Sequence, residues 1–100
     1  MEIKVDVDGC KATLELAGKL TVQTSPALSE KIDELQDGVC DLDIDLTAVD
    51  YIASAGLRVL VAADKLAVRR GGRMRLLHPV DEVAEVFEMT GLSEVFEIER

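Results

Sequence analysis

The run from Cys40 to Arg70 constrains this chain more than any other. Cys40, Leu42, Ile44 and Leu46 alternate with Asp41, Asp43 and Asp45, the period of a strand with one buried face. From Ser54 the period changes. Leu57, Val59, Leu60, Val61, Ala63, Leu66, Ala67 and Val68 sweep out a broad apolar arc at helical spacing, and Arg58, Lys65 and Arg69 share the narrow arc left over. A helix that apolar must lie across a sheet, and the strand that feeds it makes a strand–helix unit. The joint is Asp50–Leu60, with Ser54 at the expected N-cap, where a hydroxyl accepts a bond from an otherwise unpaired N–H. Gly56 lets another surface approach the first turn closely. The same geometry would hold a phosphate on Ser54 against free N–H groups and the positive end of the helix dipole. Arg58 is the odd member, because a cation in the first turn opposes that dipole unless an anion sits nearby.

The remaining segments supply partners for this unit. Ile3, Val5 and Val7 alternate with polar residues, and Asp8-Gly9 follows as a hairpin turn. A turn on those two residues pairs Val7 with Cys10, Val5 with Ala12 and Ile3 with Leu14, and Leu16 continues the second strand. Gly18 to Thr24 leave the strand. Ser25-Pro26 read as N-cap and first helical residue, Leu28, Ile32 and Leu35 follow at helical spacing, and Gly38 stops that helix. Gly71-Gly72 end the central helix, and Arg73 to Leu77 form a strand. Val80, Val83, Ala84 and Phe87 mark a third helix closed by Gly91, and Leu92 to Ile98 form a last strand with Phe96 and Ile98 inward. The order is β-β-α-β-α-β-α-β, an α/β chain with a mixed, mostly parallel five-stranded sheet. Lys11, Thr13, Glu15, Glu97, Glu99 and the three aspartates make one sheet face wet, so the helices pack on the other. Arg73 and Arg75 are placed to offset the aspartate strand across the ladder.

One hundred residues make a single domain, residues 1–100, able to bury a core without staples. A net charge of −9 argues against nucleic-acid binding and favours a partner with a basic face. The charged, strand-like amino terminus is not a signal peptide, and no apolar run is long enough to insert in a membrane, so a cytoplasmic location is expected. Cys10 and Cys40 fall on inward strand positions and read as small buried hydrophobes in a reducing cytosol rather than as a disulfide. Asp41, Asp43 and Asp45 are spread along a regular strand, unlike the curved loops that wrap oxygen-ligated cations. His78 has no ligand-spaced companion. No P-loop, dinucleotide fingerprint or nucleophile–base pair is present, so neither a cofactor nor an enzymatic activity is expected.

Three motifs in order carry a family resemblance: Gly18-Lys19-Leu20, the Ser54-Ala55-Gly56-Leu57 joint, and Met89-Thr90-Gly91-Leu92. Together they resemble the STAS domain family, the sulphate-transporter and anti-sigma-factor-antagonist domains, over most of the chain. The resemblance implies a two-layer STAS-like domain and matches Ser54 to the family's phosphorylated serine, two residues before the glycine. It further implies a partner, an anti-sigma factor that is also a serine kinase, and a metal-dependent serine phosphatase that resets the modified form. Binding of the unmodified chain would free the sigma factor. The implied contact residues are Thr21, Ile52, Ser54, Gly56, Leu57 and Arg58, within a surface that includes the Gly18–Thr24 loop.

Two positions depart from the family pattern. Ala53 stands where an Asp usually precedes the serine, and Thr21 where an Asp often stands in the loop before the first helix. They keep open a second reading, a STAS adaptor subunit of a transporter or sensory complex in which Ser54 is never modified.

Overall fold

The computed structural model describes residues 1–100. Its elements are β1 (Glu2–Asp8), β2 (Lys11–Leu20), α1 (Ser25–Asp33), β3 (Asp41–Ile52), α2 (Ser54–Arg69), β4 (Met74–Leu77), α3 (Asp81–Met89), a 3₁₀ turn (Leu92–Glu94) and β5 (Glu97–Glu99). The sheet order is β1-β2-β3-β4-β5, with β1 antiparallel to β2 and every other neighbour parallel. Each of the three crossovers moves one strand along in the same direction. A single right hand therefore sends α1, α2 and α3 to one face.

That face is the core. Leu14, Leu42, Ile44, Leu46 and Leu76 of the strands are fully or almost fully buried, as are Leu28, Leu60, Val83 and Phe87 of the helices. α2 lies centrally, bringing Gly56, Ala63 and Ala67 down onto the strands. Phe87 and Phe96 meet edge to face with ring centres 5.7 Å apart.

Several boundaries differ from the sequence reading. The hairpin turns on Gly9-Cys10, not Asp8-Gly9, because Asp8 pairs with Lys11 and Gly9 adopts a φ of 62°. The partner strand shifts by two residues, so Ile3, Val5 and Val7 keep their face and oppose Leu16, Leu14 and Ala12. Cys10 thereby moves into the turn and is exposed, and Cys40 is only half-buried, so neither is the core residue expected. Val5 and Val7 are exposed too, because they occupy an edge strand beyond the reach of α1. Val68, placed on the apolar arc of α2, is 63% exposed. α1 is capped by Thr24 rather than Ser25; the Ser25 hydroxyl donates instead to the Thr21 carbonyl. That helix also ends at Asp33, before Leu35 and Gly38. The last expected strand divides into the 3₁₀ turn and a three-residue β5, with Phe96 buried between them.

At the end of α2 the Arg70 guanidinium donates to the carbonyls of Gln36 (3.0 Å), Val39 (2.9 Å) and Leu35 (3.4 Å), tying the α1–β3 connection to the central helix. Arg70→Ala is expected to lower stability by about 2 kcal/mol, because those carbonyls lose a charged donor. Arg70→Lys should restore only part of it, having no planar fork. Urea denaturation of the three proteins checks this.

On the open face, Arg75 grips Asp43 with Nε (2.8 Å) and Nη2 (2.7 Å), and Lys11 Nζ lies 2.7 Å from the same carboxylate. Arg75 also reaches Glu99 at 2.6 Å. The expected offsetting of the aspartate strand is thus carried by Arg75. The Arg73 side chain goes to Glu97 (3.3 Å), and only its backbone N–H reaches Asp41. These partners bury Asp43, the one dry position on an otherwise wet face. The Arg75 hydrogen bonds, reinforced by Lys11, outweigh burial and hold the Asp43 carboxyl below its ordinary range. A carboxylate depressed on folding stabilises above the unfolded value of about 4, and that contribution is lost as pH falls through the folded value. Asp43→Asn is therefore expected to lose roughly 2 kcal/mol at neutral pH and to show a shallower acid limb below about pH 4. Thermal melts from pH 7 to pH 2 read both effects.

Candidate functional site

β2 and β3 end side by side. Leu20 pairs with Ile52, and the Ala53 N–H donates to the Leu20 carbonyl at 2.8 Å. The loop leaving β2 and the helix leaving β3 therefore start from one point at the carboxyl ends of parallel strands, where open α/β sheets place their binding sites. Gly56 makes this junction close. A Cβ there would stand 2.6 Å from Leu20 Cγ and 3.2 Å from Ile52 Cγ1, so the surface that approaches the first turn belongs to the chain itself.

Ala53, with φ −97° and ψ 170°, holds the N-cap of α2, and Ser54 is the first helical residue. This corrects the expectation of a capping serine: the Ser54 hydroxyl makes no capping bond. It is exposed, and so is Arg58, one helical turn on. Arg58 takes part in none of the chain's seven ion pairs. The first-turn N–H groups have no intrahelical acceptor. An exposed hydroxyl, orphan donors and an unpaired cation thus meet on one turn with no structural task among them.

The neighbouring loop is stiffened by its own hydroxyls. Thr21 N–H donates to Thr24 Oγ1 (2.8 Å), which donates in turn to the Lys19 carbonyl (2.8 Å), while Thr21 Oγ1 accepts from Gln23 N–H (3.2 Å). Thr21 is therefore half-buried with its hydroxyl turned into the loop, and the residue the loop presents is Val22, 65% exposed. Beside it, Tyr51 is 50% exposed, with Lys19 Nζ 5.9 Å from its ring centre and 3.3 Å from Asp50. Ile52, Gly56 and Leu57, expected as contact residues, are buried in the free chain and support the surface from beneath. Tyr51 lies beyond the alternating run Cys40–Leu46, so the sequence reading gives it no face. β3 runs on to Ile52, and two register shifts against β2 leave Thr47, Ala48, Asp50 and Tyr51 outside with Val49 and Ile52 inward. The two shifts restore the original parity, so the inward alternation of Leu42, Ile44 and Leu46, carried on to Ile52, was the available signal.

No cavity includes Ser54, Arg58 or the 21–24 loop; the depression lined by Glu15, Ala17, Asp45 and Thr47 lies on the open sheet face. A surface without a cavity suits a macromolecule rather than a small ligand. No helix is long and apolar enough to cross a membrane.

Comparison with known proteins bears on this surface. A family model described as "Mlab, STAS domain" matches residues 3–98. An anti-sigma-B factor antagonist of Bacillus subtilis is 33% identical over 98% of this chain and 92% of its own length. Among solved structures, a candidate anti-sigma factor antagonist of Thermotoga maritima superposes with a TM-score of 0.90 at 22% identity, covering 98% of this chain and 86% of that one. The antagonist SpoIIAA matches in its unphosphorylated form (TM-score 0.74, 18% identity, 94% and 97% covered). Its phosphorylated Bacillus form matches equally well (TM-score 0.76, 19% identity, 97% and 90% covered). With a family match spanning nearly its whole length and the sheet order expected of that fold, the chain belongs to the STAS domain family.

Proposed function

We propose that this chain is an anti-sigma factor antagonist switched by phosphorylation of Ser54. The observation that carries the reading is the exposed, uncapped Ser54 hydroxyl at the start of α2 with an unpaired Arg58 one turn away. The partner is an anti-sigma factor that is also a serine kinase, and it docks on Val22, Tyr51, Ser54 and Arg58. The two exposed apolar side chains supply burial, and the small Ser54 side chain lets the surfaces close. In the modification step Ser54 Oγ attacks the γ-phosphorus of ATP, its proton passes to a base on the kinase, and the bond to ADP breaks. The phosphate brings roughly −1.5 to −2 charge to the contact. The modified chain lets go through like-charge repulsion and lost fit, and a serine phosphatase restores the hydroxyl.

Ala53 and Thr21 favour one alternative, a STAS adaptor that holds a transporter or sensory subunit through an unmodified Ser54. Calorimetric titration with a cognate anti-sigma kinase separates the two. The switch predicts one-to-one binding by wild type, weakened at least ~30-fold in Ser54→Asp, because the added carboxylate costs about 2 kcal/mol or more at a closed contact. No binding by wild type, or equal binding by both proteins, would leave the adaptor.

A further inference from the structure

Three side chains the partner surface does not use meet at the opposite pole of the sheet. Cys10 sits in the β1–β2 turn, Cys40 immediately precedes β3, and Asp41 opens it. Their backbones are locked together: the Cys10 carbonyl accepts from the N–H of Cys40 (2.8 Å) and from that of Asp41 (3.0 Å). Both cysteines are free thiols, and the two sulfurs and an Asp41 carboxylate oxygen all lie within 4.8 Å of one another.

The carboxylate is positioned from behind. Its Oδ1 accepts the Arg73 N–H at 3.2 Å, and Gly72 packs so closely that a Cβ there would overlap the Cys40 carbonyl and stand 2.6 Å from Asp41 Oδ1. An oriented carboxylate beside two thiols is the arrangement that outer hydrogen bonds create around a metal ligand set. Cys10 is exposed and Cys40 and Asp41 are half-buried, which leaves an entry path from solvent.

We propose that Cys10, Cys40 and Asp41 bind a borderline-soft divalent cation of the zinc class, with water as fourth ligand. Metal–sulfur bonds of about 2.3 Å and metal–oxygen bonds of about 2.0 Å set tetrahedral ligands somewhat closer together than they stand here, which side-chain rotation supplies. Each thiol releases its proton to solvent as its sulfur takes up the metal. Hard cations, which prefer all-oxygen shells, are poor competitors for two sulfurs. The bound ion would pin the hairpin turn to the start of β3, at the far end of the sheet from Ser54.

The test is an anaerobic titration of the reduced full chain with Co²⁺, followed by displacement with Zn²⁺. The expected result is one equivalent of Co²⁺ with sulfur-to-cobalt charge-transfer absorption, displaced by Zn²⁺ with a Kd of about 1 µM or below, weaker than four-ligand structural sites. Cys10→Ser, at an exposed turn position, should reduce the charge-transfer band and weaken Zn²⁺ by at least ~100-fold, more than the loss of a supporting group alone. Asp41→Asn should weaken binding while keeping the band, and Mg²⁺ should not compete. Absence of the band in the reduced wild type, or an unchanged titration in Cys10→Ser, overturns the proposal. Neither result bears on Ser54.

Discussion

Phosphorylated Ser54 is expected to bind the anti-sigma kinase at least ~100-fold more weakly than the unmodified chain, with no fall in the melting temperature of the free protein. The two halves have separate causes. In the free chain the phosphate joins the exposed first residue of α2. There it meets orphan N–H donors and the positive end of a sixteen-residue helix. Arg58, one turn on and unpaired, is available to it. Such placement is worth roughly 0.3–1 kcal/mol, so the melting temperature should be unchanged or up by about 2–6 °C. At the contact, the same dianion must lose water against a surface that had closed on a hydroxyl, at a cost of several kcal/mol. Calorimetry of both forms, with a thermal melt of each free chain, reads the two effects. A melting temperature several degrees lower would mean that the switch acts by disrupting α2 instead.

Gly72→Ala is expected to cost more than about 3 kcal/mol, enough to threaten a domain of ordinary stability. Gly72 closes α2: its N–H donates to the Ala67 carbonyl (2.9 Å), while Gly71, at a φ of 84°, donates to Val68 (3.0 Å). This Schellman pairing turns the chain sharply back toward β4. The turn brings Gly72 against the Cys40 carbonyl, and an added methyl would overlap backbone atoms that β3 pairing holds in place. Gly56→Ala, by contrast, meets side-chain atoms and no fixed backbone, at Leu20 Cγ and Cδ2 and Ile52 Cγ1. Both residues are buried, so repacking should cost about 1–3 kcal/mol, still less than Gly72→Ala. Urea midpoints for the two variants test the ranking, and equal losses would refute the distinction between backbone and side-chain neighbours.

The switch from period two to helical period around Ser54 made the central strand–helix unit legible, and the alternation of strands and helices made the mostly parallel sheet legible, while the strand order came only with the structure. Ser54 and Arg58 were visible because motif and helix start coincide. What stayed hidden depends on three-dimensional closure. Tyr51 stands past the alternating run Cys40–Leu46 and gains a face only because β3 continues to Ile52. Val5 and Val7 read as core until the sheet order leaves them on an uncovered edge. Arg70 has no visible partner in the sequence and finds one only where the α1–β3 connection folds back to it. Cys10 and Cys40, thirty residues apart, become neighbours only because β2 and β3 are parallel and in register.

The central claim is that one exposed hydroxyl carries the regulation. Incubation with the cognate anti-sigma kinase and ATP, followed by intact mass measurement, tests it most directly. Wild type should gain a single phosphate and Ser54→Ala none, with the complex dissolving as the modified species accumulates. A stable complex in which wild type gains no mass, or a phosphate that still appears on Ser54→Ala, would contradict the account.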